Sequence, residues 1–344
     1  MLLDQIHGHA SALATLRKAL AKDRVAHAYL FTGPDGIGKR CTAIALAHAL
    51  LCQEAPQHGC DSCPACVSLQ AGSHPDYYLS APLPGKQSMG IDQIRAMQRF
   101  LALRPARGGK KVCILNEAHI LTDQAQSALL KILEEPPGDA IVVLVAASGA
   151  TLSLPLLSRC QHVRFAPLPV QDVERILRQE AGLEADTASL LARYSRGSIG
   201  RALSLDPPTL MEERQRVVEH LSTVHGASFS TLSQLAEWLV ADRSSKTKKK
   251  AETPTALEKG ARLELVLAWY EEALRYLLLG NSAVVRYQDC LPALAQATAK
   301  VGLARALHDL TVVYETIQAL GRNAHPRLAV EDMLLELAEA APAR

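Results

Sequence analysis

Along the first 165 residues the apolar positions follow two alternating periods. Ala28-Tyr29-Leu30-Phe31-Thr32 is a short apolar run that ends in a glycine-rich turn. Lys111-Val112-Cys113-Ile114-Leu115 is a second run, and Ile141 to Ala147 is a third, the richest in β-branched residues. Runs of this length bounded by turn residues predict buried strands. Between them the period lengthens. Residues 40–52 are rich in Ala and Leu and predict a helix. Thr122 is placed to cap another, which carries Ala125, Leu129, Ile132 and Leu133 on one face until Pro136-Pro137 stops it. Strands alternating with helices predict an α/β domain with a mostly parallel sheet covered on both faces.

Beyond Pro167 the strand runs cease. Residues 170–204 read as a few short helices broken at Gly182 and at Arg196-Gly197-Ser198. The remainder is helical in pattern. Its clearest case is Leu303, Leu307, Leu310, Tyr314 and Ile317, whose spacing makes one apolar stripe. Residues 243–256 (RSSKTKKKAETPTA) are polar, basic and Pro-containing, which predicts a loop between helices. No internal repeat is visible. The expected organisation is an α/β domain over 1–166, with an inserted module at about 52–75, a small helical domain over 167–207 and a larger helical domain over 208–344.

Composition narrows the function classes. Of 344 residues, 48% are hydrophobic and 21% charged, enough apolar material for packed cores and too much for a disordered chain. The longest apolar run is far short of the roughly 18 residues that span a bilayer. The first residues show no basic stretch followed by an apolar core, so neither a signal peptide nor a membrane role is expected. Thirty-seven Lys+Arg against 35 Asp+Glu give a net charge of +2, so any grip on nucleic acid must be local or shared with partners. The basic cluster Arg243, Lys246, Lys248, Lys249 and Lys250 reads as a solvated loop; without interleaved aromatics, a DNA-phosphate or partner contact stays an unsharpened alternative.

Gly33-Pro34-Asp35-Gly36-Ile37-Gly38-Lys39-Arg40 fits G-x-x-x-x-G-K, follows a predicted strand and opens a predicted helix. In that context the glycines let backbone N–H groups converge on phosphate oxygens, the helix N-terminus adds its positive end, and Lys39 would neutralise the outer phosphates. The next position breaks the motif. A P-loop ATPase places there a Ser or Thr whose hydroxyl binds Mg²⁺. Arg40 has no acceptor atom and carries the metal's own sign of charge. Lys111 to His119 resembles a strand leading into D-E-A-H, where the Asp holds Mg²⁺ and the Glu polarises the attacking water. Here Glu117 is kept, but Asn116 replaces the acid. Mg²⁺ prefers carboxylate and hydroxyl oxygens, so losing both anchors weakens the positioning of Mg·ATP. ATP/Mg²⁺ binding is therefore doubtful, and a working ATPase with substitute ligands is the rival reading.

Four of the eight cysteines, Cys52, Cys60, Cys63 and Cys66, fall close together, which in a chain without an export signal reads as a metal site before a disulfide framework. Four thiolates at such spacing can surround a tetrahedral Zn²⁺, and a closed shell means a structural site. The fourth cysteine of the bacterial iron–sulfur run is missing, Gln70 standing in its place. Iron–sulfur and unligated thiols remain the alternatives. His58 and His74 read as solvated neighbours, and Cys41, Cys113 and Cys290 as small buried hydrophobes.

Several motifs in this order resemble one family. His27-Ala28-Tyr29-Leu30-Phe31 leads into the glycine loop, and the four-cysteine insertion follows its helix. Asn116-Glu117-Ala118-His119 precedes Leu129-Leu130-Lys131-Ile132-Leu133-Glu134-Glu135-Pro136-Pro137. Then come Ser158-Arg159-Cys160 and Arg322-Asn323-Ala324-His325-Pro326-Arg327. The chain resembles the bacterial clamp-loader subunits of DNA polymerase III, within the AAA+ superfamily, most strongly over residues 5–205. The family holds an ATP-hydrolysing gamma/tau kind and a delta-prime kind that lacks the full ATPase machinery; Arg40 and Asn116 make this chain look like the latter.

The resemblance implies an AAA+ P-loop domain, a helical lid and an all-α collar. It also implies a cytoplasmic bacterial subunit of a DNA-directed DNA polymerase (nucleotidyltransferase) holoenzyme, itself without intrinsic ATPase activity. Its partners would be gamma/tau and delta subunits in a hetero-pentamer, the sliding clamp, and primed DNA through the assembly. A gamma/tau-like ATPase is the alternative; a zinc-bearing adaptor unrelated to replication would leave Ser-Arg-Cys unexplained. Carried over by motif, Arg159 is an arginine finger given in trans to a neighbour's ATP site, against the plainer reading of a surface arginine. Arg201 matches a second sensor position or is a structural helix residue, and Ser148 matches the first sensor position.

Overall fold

The three apolar runs are strands, and two further strands join them. In the computed structural model β1 is Ala28–Thr32, β2 Tyr77–Ser80, β3 Lys111–Leu115, β4 Ala140–Ala146 and β5 Gln161–Arg164. They form one sheet in the order β2-β3-β4-β1-β5, and every neighbouring pair is parallel. The structure describes residues 2–83, 86, 88–106, 109–224, 226–241, 260–299, 301–322 and 324–339. The basic cluster at 243–250 and Asn323 lie outside the described residues. The chain divides into two compact units, Met1–Ala188 with Ser195–Ala202, and Ser189–Tyr194 with Leu203–Arg344.

The first unit is built on the sheet. Its helices are α1 (Ala10–Ala21), α2 (Lys39–Leu51), α3 (Pro64–Gln70), α4 (Ile91–Ala102), α5 (Asp123–Glu134), α6 (Leu154–Ser158) and α7 (Val170–Glu180); α8 (Ala185–Tyr194) and α9 (Ile199–Ser204) begin in it. Successive strand side chains point to opposite faces. Tyr29, Phe31, Val112, Ile114, Val143 and Val145 therefore pack with α1 and α2 in one core, while Leu30, Cys113, Leu115, Val142 and Leu144 pack with α4 and α5 in the other. The hydroxyl of Thr122 accepts the Ala125 amide at 3.3 Å and so caps α5 as its sequence predicts; Glu134 ends the helix two residues before the proline pair. Parallel strands put all their C-terminal ends on one edge. Thr32 pairs with Ala146, and Leu115 pairs with Leu144. The glycine loop, Asn116 and Ser148 therefore all leave the sheet at the same edge.

Several elements escaped the reading of the sequence, among them α1, β2 and α4. β2 is a four-residue edge strand, and α4 buries Ile94, Met97 and Leu101. The cysteine reading also needs correction: Cys113 is fully buried, but Cys41 and Cys290 are only half-buried.

The second unit is helical: α10 (Pro207–Ser222), α11 (Phe229–Val240), α12 (Ala261–Leu279), α13 (Leu291–Thr298), α14 (Leu303–Gly321) and α15 (Pro326–Ala338). The apolar stripe on α14 is only partly turned to this unit's core, with Leu310 and Ile317 half-buried. Leu303, Leu307 and Tyr314 are each at least half exposed, while Ala306, Asp309, Val312, Val313 and Thr316 form the buried face. The unit's interior holds a charge pair instead. Arg262 on α12 meets Glu213 on α10 at 2.5 Å with both side chains buried, and the guanidinium lies over the Trp238 ring. Removing one partner of such a pair strands the other charge away from water. Arg262→Ala is expected to cost about 3–5 kcal/mol in urea unfolding, whereas replacing both partners with apolar residues recovers most of the loss. A single-variant cost under about 1 kcal/mol would contradict this account.

Candidate nucleotide site and metal centre

The glycine loop joins β1 to α2, with Gly33 after the strand and Gly38 capping the helix in left-handed backbone. It lies where phosphates would meet the N-terminus of α2, but its groups are turned on one another. Lys39 Nζ donates to the carbonyls of Gly33 (2.5 Å) and Pro34 (2.6 Å) and lies 3.3 Å from the Asp35 carboxylate. Its side chain is 5% exposed. Burial pushes the ammonium below the ordinary lysine value, with Asp35 pulling the other way.

The start of α9 also bears on this loop. Ser198 Oγ donates to the Asp35 carbonyl at 2.8 Å, and the Gly200 amide donates to the Gly36 carbonyl at 2.9 Å. A Cβ on Gly36 would sit 2.4 Å from Ser198 Oγ and 3.1 Å from Gly200 Cα, and the backbone there has φ +71°. Only glycine fits that combination. Arg201, on the first turn of α9, donates its backbone amide to the same Ser198 hydroxyl at 3.1 Å.

The positions where Mg²⁺ anchors belong hold other chemistry. Arg40 is exposed. Thr42 is buried, and its hydroxyl donates back to the Gly38 carbonyl at 3.0 Å, so it does not replace the missing hydroxyl ligand. Asn116 is fixed at the end of β3 by its amide, which donates to the Ser80 carbonyl at 2.8 Å. Its side-chain Nδ2 donates to the exposed Glu117 carboxylate at 3.3 Å. Ser148 is exposed beyond β4, its hydroxyl accepting the Ala150 amide at 3.1 Å.

The four cysteines come together after α2. All four Sγ atoms lie within 4.8 Å of one another; Cys52–Cys60 is 3.6 Å, and Cys52–Cys63 and Cys60–Cys66 are each 3.9 Å. A metal about 2.3 Å from each of four tetrahedral thiolates sets the sulfurs roughly 3.8 Å apart, so the donor set fits. Backbone amides of Ala55, Cys63 and Cys66 donate to Cys52, Cys60 and Cys63 respectively. Burial alone would raise Cys63, but the N–H groups of Cys66 and Gln53 outweigh it and bring the thiol down to about 6. Burial pushes Cys66 up to about 12. Three of the four cysteines are buried and Cys60 is half-buried, so the sulfurs converge on one small, mostly enclosed point. The cluster is compatible with a structural metal such as zinc.

The neighbouring histidines differ from expectation in one case. His58 is exposed, but His74 is buried and accepts the Asp76 amide at 3.1 Å. His48, not singled out in the sequence, is buried on α2 with Nδ1 3.4 Å from the carboxylate of Asp61, inside the cysteine segment.

Away from the glycine loop, Arg159 caps the C-terminus of α6. Its Nη1 donates to the Pro155 carbonyl at 2.9 Å, and its Nη2 meets Glu134 Oε1 at 2.7 Å. Cys160 beside it is buried, and burial pushes its thiol up to about 12. Sequence reading passed over Glu134, Ser198 and Gly200 as site residues. Ser198 had left a trace as part of a helix break, and Glu134 only as one member of the Leu129–Pro137 motif.

A five-stranded parallel sheet in this order, with a glycine loop after β1, a four-cysteine insertion and a helical C-terminal region, defines an AAA+-like α/β protein. Residues 8–169 match the family described as "DNA polymerase III, delta subunit". The chain is 36% identical to DNA polymerase III subunit delta' of Escherichia coli (strain K12) over 212 residues, 61% of this chain and 64% of that protein. Against the delta' subunit of Bacillus subtilis (strain 168) it is 29% identical over 329 residues, 94% of each. The tau subunit of the same Bacillus strain is 32% identical over 213 residues, 59% of this chain and 36% of that one. The match thus spans under two thirds of the Escherichia relative and nearly all of the Bacillus delta' subunit. The chain belongs to the delta-prime branch of the DNA polymerase III clamp-loader family, related to gamma/tau.

Proposed function

We propose that this chain works in a bacterial clamp loader as a rigid subunit that does not hydrolyse ATP. The observation that carries the reading is the state of its glycine loop: Lys39 is spent on the loop's own carbonyls, Ser198 and Gly200 strap α9 to Asp35 and Gly36, and Arg40 and Asn116 stand where Mg²⁺ ligands belong. Its contribution to ATP turnover is Arg159, offered to the nucleotide of a neighbouring gamma/tau subunit. A half-exposed planar cation at a helix end suits that role. Ser148 and Arg201 are the sensor positions of a site that no longer turns over. The lid comprises residues 167–207 and the collar residues 208–344. The exposed Leu303, Leu307 and Tyr314 on α14 support a collar that packs against other subunits, because apolar side chains gathered on a surface mark an interaction site. Four thiolates hold a structural Zn²⁺ that stiffens residues 52–75. With gamma/tau and delta, the assembly opens the sliding clamp and places it on primed DNA. No helix among the described residues is long and apolar enough to cross a membrane.

The test is ATP turnover by the purified chain with Mg²⁺. No hydrolysis above background is expected, and installing the missing anchors together, Arg40→Thr with Asn116→Asp, is the variant that brings turnover closest. Lys39 and Glu117 keep their ATPase identities, which favours a working gamma/tau-like ATPase as the second reading. Clear turnover by the unaltered chain, abolished in Lys39→Ala, would establish that reading instead.

A further inference from the structure

We infer that Glu134 is a positioning residue for Arg159, a role that rests on the finger reading above. An arginine offered to another molecule has a problem of entropy: a long, half-exposed side chain samples many rotamers, and only those aimed at the phosphates are productive. Here the guanidinium is held at two points. Pro155, one turn earlier on α6, supplies a carbonyl to Nη1 at 2.9 Å, and Glu134, the last residue of α5, supplies a carboxylate oxygen to Nη2 at 2.7 Å. The two acceptors sit on different helices, so together they fix the plane of the fork and not merely its reach.

Why Glu134 is in place follows from the chain. Thr122 sets the start of α5, Ala125, Leu129, Ile132 and Leu133 seat it in the core, and the Pro136-Pro137 stop keeps it from running past Glu134. His27 adds a tie at that end, its Nε2 lying 3.1 Å from the Leu133 carbonyl. The carboxylate is thus delivered to the arginine by a helix end that the core holds fixed.

The same carboxylate has a cost. Its negative charge partly cancels the field that Arg159 offers to a phosphate. Glu134 therefore acts in two opposed directions: it orients the fork and weakens its attraction. The two effects separate by substitution. Glu134→Ala removes both the acceptor and the charge, while Glu134→Gln keeps an acceptor oxygen and removes only the charge.

The experiment uses the assembled complex with gamma/tau and delta subunits, measuring clamp- and primed-DNA-stimulated ATP hydrolysis, with assembly checked by size-exclusion chromatography. Glu134→Ala is expected to lower kcat at the served site about threefold to fivefold, the upper end of what an exposed, orienting ion pair commands. Glu134→Gln is expected to keep kcat within about twofold of the unaltered complex and to lower the KM for ATP, a split that a merely structural role does not produce. In an Arg159→Ala background, Glu134→Ala is expected to add nothing, because both act through one group. Glu134→Ala with unaltered kcat, or with a further loss on top of Arg159→Ala, overturns the inference and leaves the finger standing. Unaltered turnover in Arg159→Ala alone overturns the finger and this inference together.

Discussion

Replacing Cys63 and Cys66 together by serine is expected to take the protein from about one zinc per chain to none, as read by metal analysis of the purified chain. The four sulfurs are already at the spacing of a tetrahedral shell, and three of them receive backbone N–H groups that favour the thiolate. Serine oxygens are poorer partners for a borderline-soft ion, and two remaining thiols do not close the shell. The energy at stake is large: structural zinc contributes about 10–16 kcal/mol in small domains that fold only with metal. Here the loss should stay local. The cysteines and Ala65 form a small cluster of their own, separate from the two cores flanking the sheet. The expected signature is rapid proteolysis within residues 52–75, with the sheet's cooperative unfolding kept. Retention of zinc by the double variant would exclude the four-thiolate site.

The sequence foretold the four-cysteine cluster because its chemistry is written in spacing, and the buried strands because parallel strands covered on both faces read as continuous apolar runs. What it hid were features made by packing between distant segments. β2 offers four residues, Tyr77-Tyr78-Leu79-Ser80, with no β-branched side chain, and becomes a strand because β3 is beside it. The spacing of Ile94, Met97 and Leu101 was legible, but α4 has Gly90 as its N-cap and so no side-chain cap to announce it. The stripe on α14 was read correctly as a stripe; that much of it faces outward depends on which face the neighbouring helices claim. The strap from Ser198 and Gly200 to the glycine loop joins positions some 160 residues apart, and no local pattern encodes it. Glu134 is hidden for the same reason. Within its helix it is an ordinary polar residue, and only the return of the chain at α6 brings an arginine to it.

Arg159→Ala is expected to leave the complex assembled and to lower ATP turnover at the one site it serves by about 10³-fold, the lower end of what an arginine finger contributes. The loss should appear in a reconstituted complex as a smaller pre-steady-state burst of hydrolysis, since sites served by other subunits keep their own fingers. The fold should survive. Arg159 is half-exposed at the end of a five-residue helix, and its ion pair with Glu134 is of the exposed kind that adds little to stability. A charge-conserving variant sharpens the point. Arg159→Lys keeps a cation but loses the planar fork, which here bridges Pro155 and Glu134 through two separate nitrogens. If shape as well as charge is what the neighbour's phosphates read, lysine recovers only a small part of the rate. Full recovery by lysine would reduce the contribution to net charge alone. An undiminished burst in Arg159→Ala would return Arg159 to the status of a surface residue pairing with its own chain.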